Sequence, residues 1–131
     1  MSNTTYERIL ADMPVGLERA TLRVLSYRSG KVAAIGRGEL VTELQKVLGD
    51  VQERQVRRCI HDLRRQGHLI CSTPGEAGGY YLPKTMDEFQ EFIDREIHPK
   101  ALDLLETEKV MKEAARQLFG NASQPALLEM S

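Results

Sequence analysis

The sequence predicts a mainly helical fold with one small β-hairpin and a long helical arm at its C-terminal end. Three observations predict it. Apolar residues recur at steps of three and four through most of the chain, the period of a helix with one buried face. Around residues 68–82 that pattern gives way to two short apolar runs, His68–Ser72 and Tyr80–Leu82. Between them, Thr73–Gly79 holds three glycines and a proline, the composition of a turn. From Ala101 to Leu118 the alternating three- and four-residue steps return and run on without a turn signal.

Composition sets the limits. The 131 residues are 41% hydrophobic and 28% charged, ordinary for a soluble protein. No apolar run approaches the ~20 residues of a membrane span. The opening MSNTTYERIL lacks the basic-then-apolar layout of a signal peptide. A cytoplasmic protein with no membrane partner is therefore expected, with Cys59 and Cys71 as free thiols rather than a disulfide scaffold. Net charge is −1, but its distribution is uneven. Residues 1–83 carry 12 Lys/Arg against 9 Asp/Glu, a net of +3; residues 84–131 carry 6 against 10, a net of −4.

The helices follow in order. Thr4 and Glu7 fit a capping box for a first short helix, whose Tyr6, Leu10 and Met13 share a face that must dock on the main core or on a partner; Pro14 ends it. Leu17, Thr21, Val24 and Leu25 stripe a second helix over Leu17–Arg28, with Gly30 as its left-handed stop. Lys31–Gly36 reads as a short strand or extended link. Leu40, Leu44, Val47 and Leu48 give the buried stripe of a third helix, Arg37–Leu48, ended by Gly49. Asp50 and Glu53 fit a capping box for the next helix, Val51–Gln66. So tight a connection forces a sharp angle between the two, a helix-turn-helix. Val56, Ile60 and Leu63 form the inward face of that helix, bordered by Cys59, and Gly67 caps it. In the hairpin, Tyr80 and Leu82 are expected to seal the core, with Tyr81 exposed or packed on the following helix. Thr85 and Glu88 cap that next helix, striped by Phe89, Phe92, Ile93 and Ile97. Pro99 breaks or kinks it, or opens a new helix carrying Ala101, Leu104, Met111, Ala115 and Leu118, with Glu108 interrupting the seam. Gly120 and Asn121 end this helix, and the tail from Ala122 is expected to be disordered.

The residues that carry chemistry are on the fourth helix. Duplex DNA presents closely spaced phosphates and a major groove that admits one helix, so a reader needs an apolar face and a long-armed basic face. Arg54, Gln55, Arg58 and His61 sit where side chains reach base edges. Arg57, Arg64 and Arg65 are expected to hold phosphates, and Gln52, Ser72 and Thr73 complete the candidate DNA-binding set. A solvated helix face would explain the arginines alone; the tight turn before them and the hairpin after them add weight. The hairpin tip carries Glu76 and no Lys or Arg, which argues against a strong electrostatic role there. Cys59 and His61, two apart on a helix, project about 200° apart and cannot share a zinc ion. No metal site, cofactor, small-molecule ligand or catalytic constellation is expected: no phosphate-binding loop, nucleophile elbow or HExxH is present.

The stretch GELVTELQKVLGDVQERQVRRCIHDLRRQGHLICSTPGEAGGYYL resembles the winged helix-turn-helix domains of small bacterial and prophage regulators. The matching positions are Arg54, Val56, Arg57, Ile60, Leu63, Arg64 and Gly67, then Ile70, Ser72, Gly79, Tyr80 and Tyr81, then Thr85 and Glu88. The likeness spans Leu17 to Ile97. It implies double-stranded DNA binding through the helix over 51–66; with no catalytic constellation in the chain, a non-enzymatic, nucleoid-associated transcriptional or phage-type regulator is expected. Winged helices also serve as protein–protein interaction modules, so a role in a replication or phage assembly is the alternative. The expected organisation is an N-terminal helical arm (1–14), a winged helix-turn-helix domain (15–97), a C-terminal helix able to form a homodimer (98–120) and a tail (121–131).

Overall fold

A computed structural model describes residues 3–75 and 78–130, with side chains over 5–75 and 78–120. It is mainly helical, with a small three-stranded antiparallel sheet and a long C-terminal helix. The chain falls into two units, residues 1–92 and 93–131.

In the first unit, helix α1 (Asn3–Asp12) buries Leu10 and packs Tyr6 and Met13 on the core, so its apolar face is spent within this chain. The helix begins one residue before Thr4, the expected cap, whose side chain lies outside the described residues. Helix α2 (Leu17–Leu25) buries Thr21, Leu22 and Leu25. It is shorter than the expected Leu17–Arg28, because Ser26 Oγ turns back to the Arg23 carbonyl at 2.6 Å and competes with continuation. Gly30 is therefore not its stop. It opens a 3-10 turn (Lys31–Ala33) and donates its N–H to the Leu82 carbonyl at 2.7 Å, while Leu82 N–H donates to Arg28 O at 3.0 Å.

Strand β1 (Ile35–Gly36) follows, then α3 (Arg37–Leu48), α4 (Glu53–Arg65), β2 (Cys71–Ser72) and β3 (Gly79–Tyr81). The sheet order is β1-β3-β2, with Ile35 opposite Tyr80, Gly36 opposite Gly79, Cys71 opposite Tyr81 and Ser72 opposite Tyr80. The stretch read as strand or link thus supplies a third strand to the expected hairpin. Gly79 makes this possible: a Cβ there would collide with the backbone carbonyl of Ile35.

Three expectations about packing are corrected. Leu40 and Leu44 are buried, but Val47 and Leu48 are 71% and 37% exposed, because Val51 in the following turn takes the core position instead. Of the two placements expected for Tyr81, exposure is excluded: the residue is completely buried, since β3 is the central strand and is covered on both faces. The strand expected at His68–Ser72 is only Cys71–Ser72, because the end of α4 consumes the preceding residues. Gly67 N–H bonds Arg64 O at 3.0 Å and His68 N–H bonds Leu63 O at 3.1 Å, with Gly67 at φ +99°. That double closure is the Schellman motif, and its left-handed residue favours glycine.

Helix α5 (Met86–Phe92) is capped as expected by Thr85, whose Oγ1 accepts the Glu88 N–H at 3.1 Å. The Glu88 carboxylate does not return to Thr85. It accepts the N–H of Lys84 at 2.8 Å and of Lys31 at 3.0 Å, clipping the 3-10 turn to the start of α5.

The second unit starts with a π-helical turn (Ile93–Ile97) that leads into α6 (His98–Met130). Pro99 sits in the first turn of α6, where its missing N–H costs least, and its ring disturbs the preceding turn into the wider π form. Helical geometry breaks at Gly120 (φ +72°), where the sequence placed the end of the helix. Helical backbone resumes beyond it, and the side chains of the tail expected from Ala122 lie outside the described residues. No helix among the described residues is long and apolar enough to cross a membrane.

Candidate nucleic-acid interface

The candidate interface is built on α4. The turn from Gly49 to Gln52 fixes how α4 leaves α3: Gln45 Nε2 donates to the Val51 carbonyl at 2.9 Å, and buried Val51 anchors the turn in the core. The helix starts later than Asp50 would have started it. Gln52 is the N-cap, and its N–H is accepted by Gln55 Oε1 at 2.8 Å. The glutamines thus do the capping expected of Asp50 and Glu53, because Val51 must be spent on the core before the helix can begin.

Val56, Cys59, Ile60 and Leu63 are buried along one side of α4. At 100° per residue, Arg54, Arg57, Arg58, His61 and Arg65 fall within a band about 100° wide on the opposite side. All five are exposed. From Arg54 to Arg65 the band rises over eleven helical steps, roughly 17 Å at 1.5 Å per residue. Arg58 reaches Asp62 at 3.6 Å with its side chain 80% exposed, a contact too solvated to hold it strongly. His61 also lies beside Asp62, at 3.4 Å. Arg54, Arg57 and Arg65 have no ion-pair partner among the described residues.

Other expected members of the set are differently placed. Gln52 and Gln55 are exposed but serve the cap. Arg64 is half-buried and turned back onto the fold: Nε donates to Ile70 O at 2.7 Å, Nη2 to Ser72 Oγ at 3.3 Å, and the guanidinium stacks 5.1 Å from the Phe92 ring centre. Ser72 is thereby engaged by Arg64. Thr73 closes the hairpin, with Oγ1 accepting Gly79 N–H at 2.8 Å and its own N–H reaching Gly79 O at 2.9 Å. Glu76, the expected acidic tip residue, lies outside the described residues.

One residue escaped the sequence reading. Arg37, at the start of α3, donates to Gly75 O and Thr73 O, each at 2.9 Å, and lies 5.6 Å from the Tyr80 ring centre. It ties the hairpin tip to the helix before the turn. Cys59 and Cys71 are both buried. Burial raises the Cys59 pKa above the usual thiol range, against a weaker lowering by its contact with Thr21 Oγ1 at 3.6 Å, so the thiol is an inert core group.

No protein-family model, no curated protein and no solved structure matches this chain.

The arrangement can grip a polyanion along a line. Four guanidiniums and an imidazole on one helix are exposed on the same side, a one-sided basic face that suits a polyanion. The buried side of the same helix is fixed by core packing, so the basic band cannot rotate away from its direction.

Proposed function

We propose that this chain is a non-enzymatic winged helix-turn-helix protein that binds double-stranded DNA, with α4 in the major groove. The observation that carries the reading is the exposed Arg54–Arg57–Arg58–His61–Arg65 band opposite a fully buried face. The order α2–β1–α3–α4–β2–β3, with a tight connection before α4 and a hairpin after it, supports the same reading. Arg54 and Arg58 lie toward the N-terminal end of α4, with His61 one turn further on, where side chains would meet base edges; Arg57 and Arg65 hold flanking phosphates. Arg64, Ser72 and Thr73 position the hairpin rather than touch DNA. A role as a nucleoid-bound regulator follows from this reading.

A second reading has one observation in its favour. Val15, Val24, Val47 and Leu48 line an open apolar groove between α2 and α3, edged by Arg19 and Arg23, of the kind that receives another protein. Fluorescence anisotropy separates the two. Labelled random-sequence duplex is titrated with wild type and with Arg54→Ala/Arg58→Ala at two salt concentrations. The DNA reading expects wild-type binding that weakens with salt, and at least tenfold weaker binding by the double variant. Equal binding by both proteins would remove α4 as the DNA reader, and no binding by either would favour the interaction module.

A further inference from the structure

The second unit carries an apolar face that stays exposed among the described residues. Ile97, Ala101, Leu104, Glu108, Met111, Ala115 and Leu118 follow one another at steps of four and three, a heptad seam over three repeats. Leu104, Met111 and Leu118 are 71%, 67% and 77% exposed, and Leu105 and Phe119 widen the strip. A sequence rarely keeps so regular a seam in water without a partner helix. Charge and side-chain size both identify the partner.

Along α6 the charge is divided. Residues 98–108 hold one Lys against three Asp/Glu, and residues 109–119 hold three Lys/Arg against one Glu. A second α6 laid parallel would set acidic half on acidic half and basic half on basic half. It would also bring Glu108 against its own copy within the apolar seam, two carboxylates with no cation between them. Laid antiparallel, each acidic half faces a basic half. With the crossing point at Lys109–Val110, Glu108 faces Met111 of the other copy, and Lys112 of that copy lies one step along the flank. Lys112 already reaches Glu108 of its own helix at 3.6 Å, so both carboxylates gain a second cation on pairing. The same register sets Leu104 against Ala115 and Ala101 against Leu118, large against small in each layer, as close helix packing requires.

We infer that α6 pairs antiparallel with α6 of a second copy of this chain, about a two-fold axis at Lys109–Val110. Glu108, which breaks the apolar seam, is the residue that rejects the parallel arrangement. The pairing does not rest on the DNA reading. If both hold, the dimer presents two α4 helices to a two-fold symmetric site.

Light scattering and directed crosslinking of the full chain, without DNA, test this. Wild type should scatter at twice the 14.8 kDa chain mass and dissociate on dilution. Leu104→Cys and Ala115→Cys chains, mixed in a glutathione redox buffer, should form the 104–115 disulfide at least tenfold over either same-position disulfide. Wild type, whose cysteines are both buried, is the uncrosslinked control. A mass of 14.8 kDa at every concentration up to millimolar would overturn the inference, as would preferential 104–104 and 115–115 bridges, the signature of parallel pairing.

Discussion

Arginine does two different jobs within two turns of α4, and the neighbours decide which. Arg57, Arg58, His61 and Arg65 point away from the core, whereas Arg64, beside Leu63, is drawn over Phe92 and onto the Ile70 carbonyl. Arg64→Ala would strip the Ile70 carbonyl and Ser72 of a donor and uncover an aromatic ring. It is expected to cost roughly 1–3 kcal/mol in a urea denaturation series. The matching Arg57→Ala, on the exposed side, should leave the urea midpoint essentially unchanged. Equal stability of the two variants would show that Arg64 is not structural. Gly79 is equally constrained, by backbone rather than by side chains. A methyl there meets the Ile35 carbonyl, so Gly79→Ala should separate β1 from β3 and cost about 2–4 kcal/mol, read as a fall in melting temperature. Sequence periodicity located all these arginines but could not sort them, because Arg64 sits at the edge of the polar face, where a turn of a few tens of degrees changes its role. Arg37 was not legible at all: its partners Thr73 and Gly75 are 36 and 38 residues away, and no local pattern reports such contacts.

At the scale of elements, α4 and its apolar face were legible because the stripe and the glycine stop are local signals. The start of the helix was misplaced by two residues, since a good cap at Asp50 competes with burial of Val51, and the core prevailed. The third strand was half-visible in Lys31–Gly36, whose partner lies more than forty residues on. The Glu88 clip was invisible for the same reason, although its capping role with Thr85 was plain. That clip carries a pH signature. Hydrogen bonds from the Lys84 and Lys31 backbone hold the Glu88 carboxyl below its ordinary range, with the two lysine charges adding in the same direction. Its contribution is therefore complete above the unfolded pKa and disappears as pH falls through the lowered folded value. Glu88→Gln should lower the melting temperature at neutral pH and lose less stability than wild type between neutral and acid conditions. Parallel pH curves for the two proteins would show that the clip adds nothing.

For the whole molecule, a net charge of −1 conceals a chain whose basic helix and acidic C-terminal portion are separate features. Overall charge thus predicts little about binding polyanions, while the band on α4 predicts a great deal. The long seam of α6 was evident from its repeat, and its orientation emerges only when charge and size are matched layer by layer. If the α4 band engages phosphates, the salt dependence of DNA binding measures it most directly. Plotted as log affinity against log salt concentration, each phosphate contact adds about 0.9 to the magnitude of the slope. Wild type should give a steep slope, Arg57→Ala and Arg65→Ala should each reduce it by about 0.9, and Arg64→Ala should leave it unchanged. A wild-type slope near zero, or slopes indifferent to Arg57 and Arg65, would contradict the account.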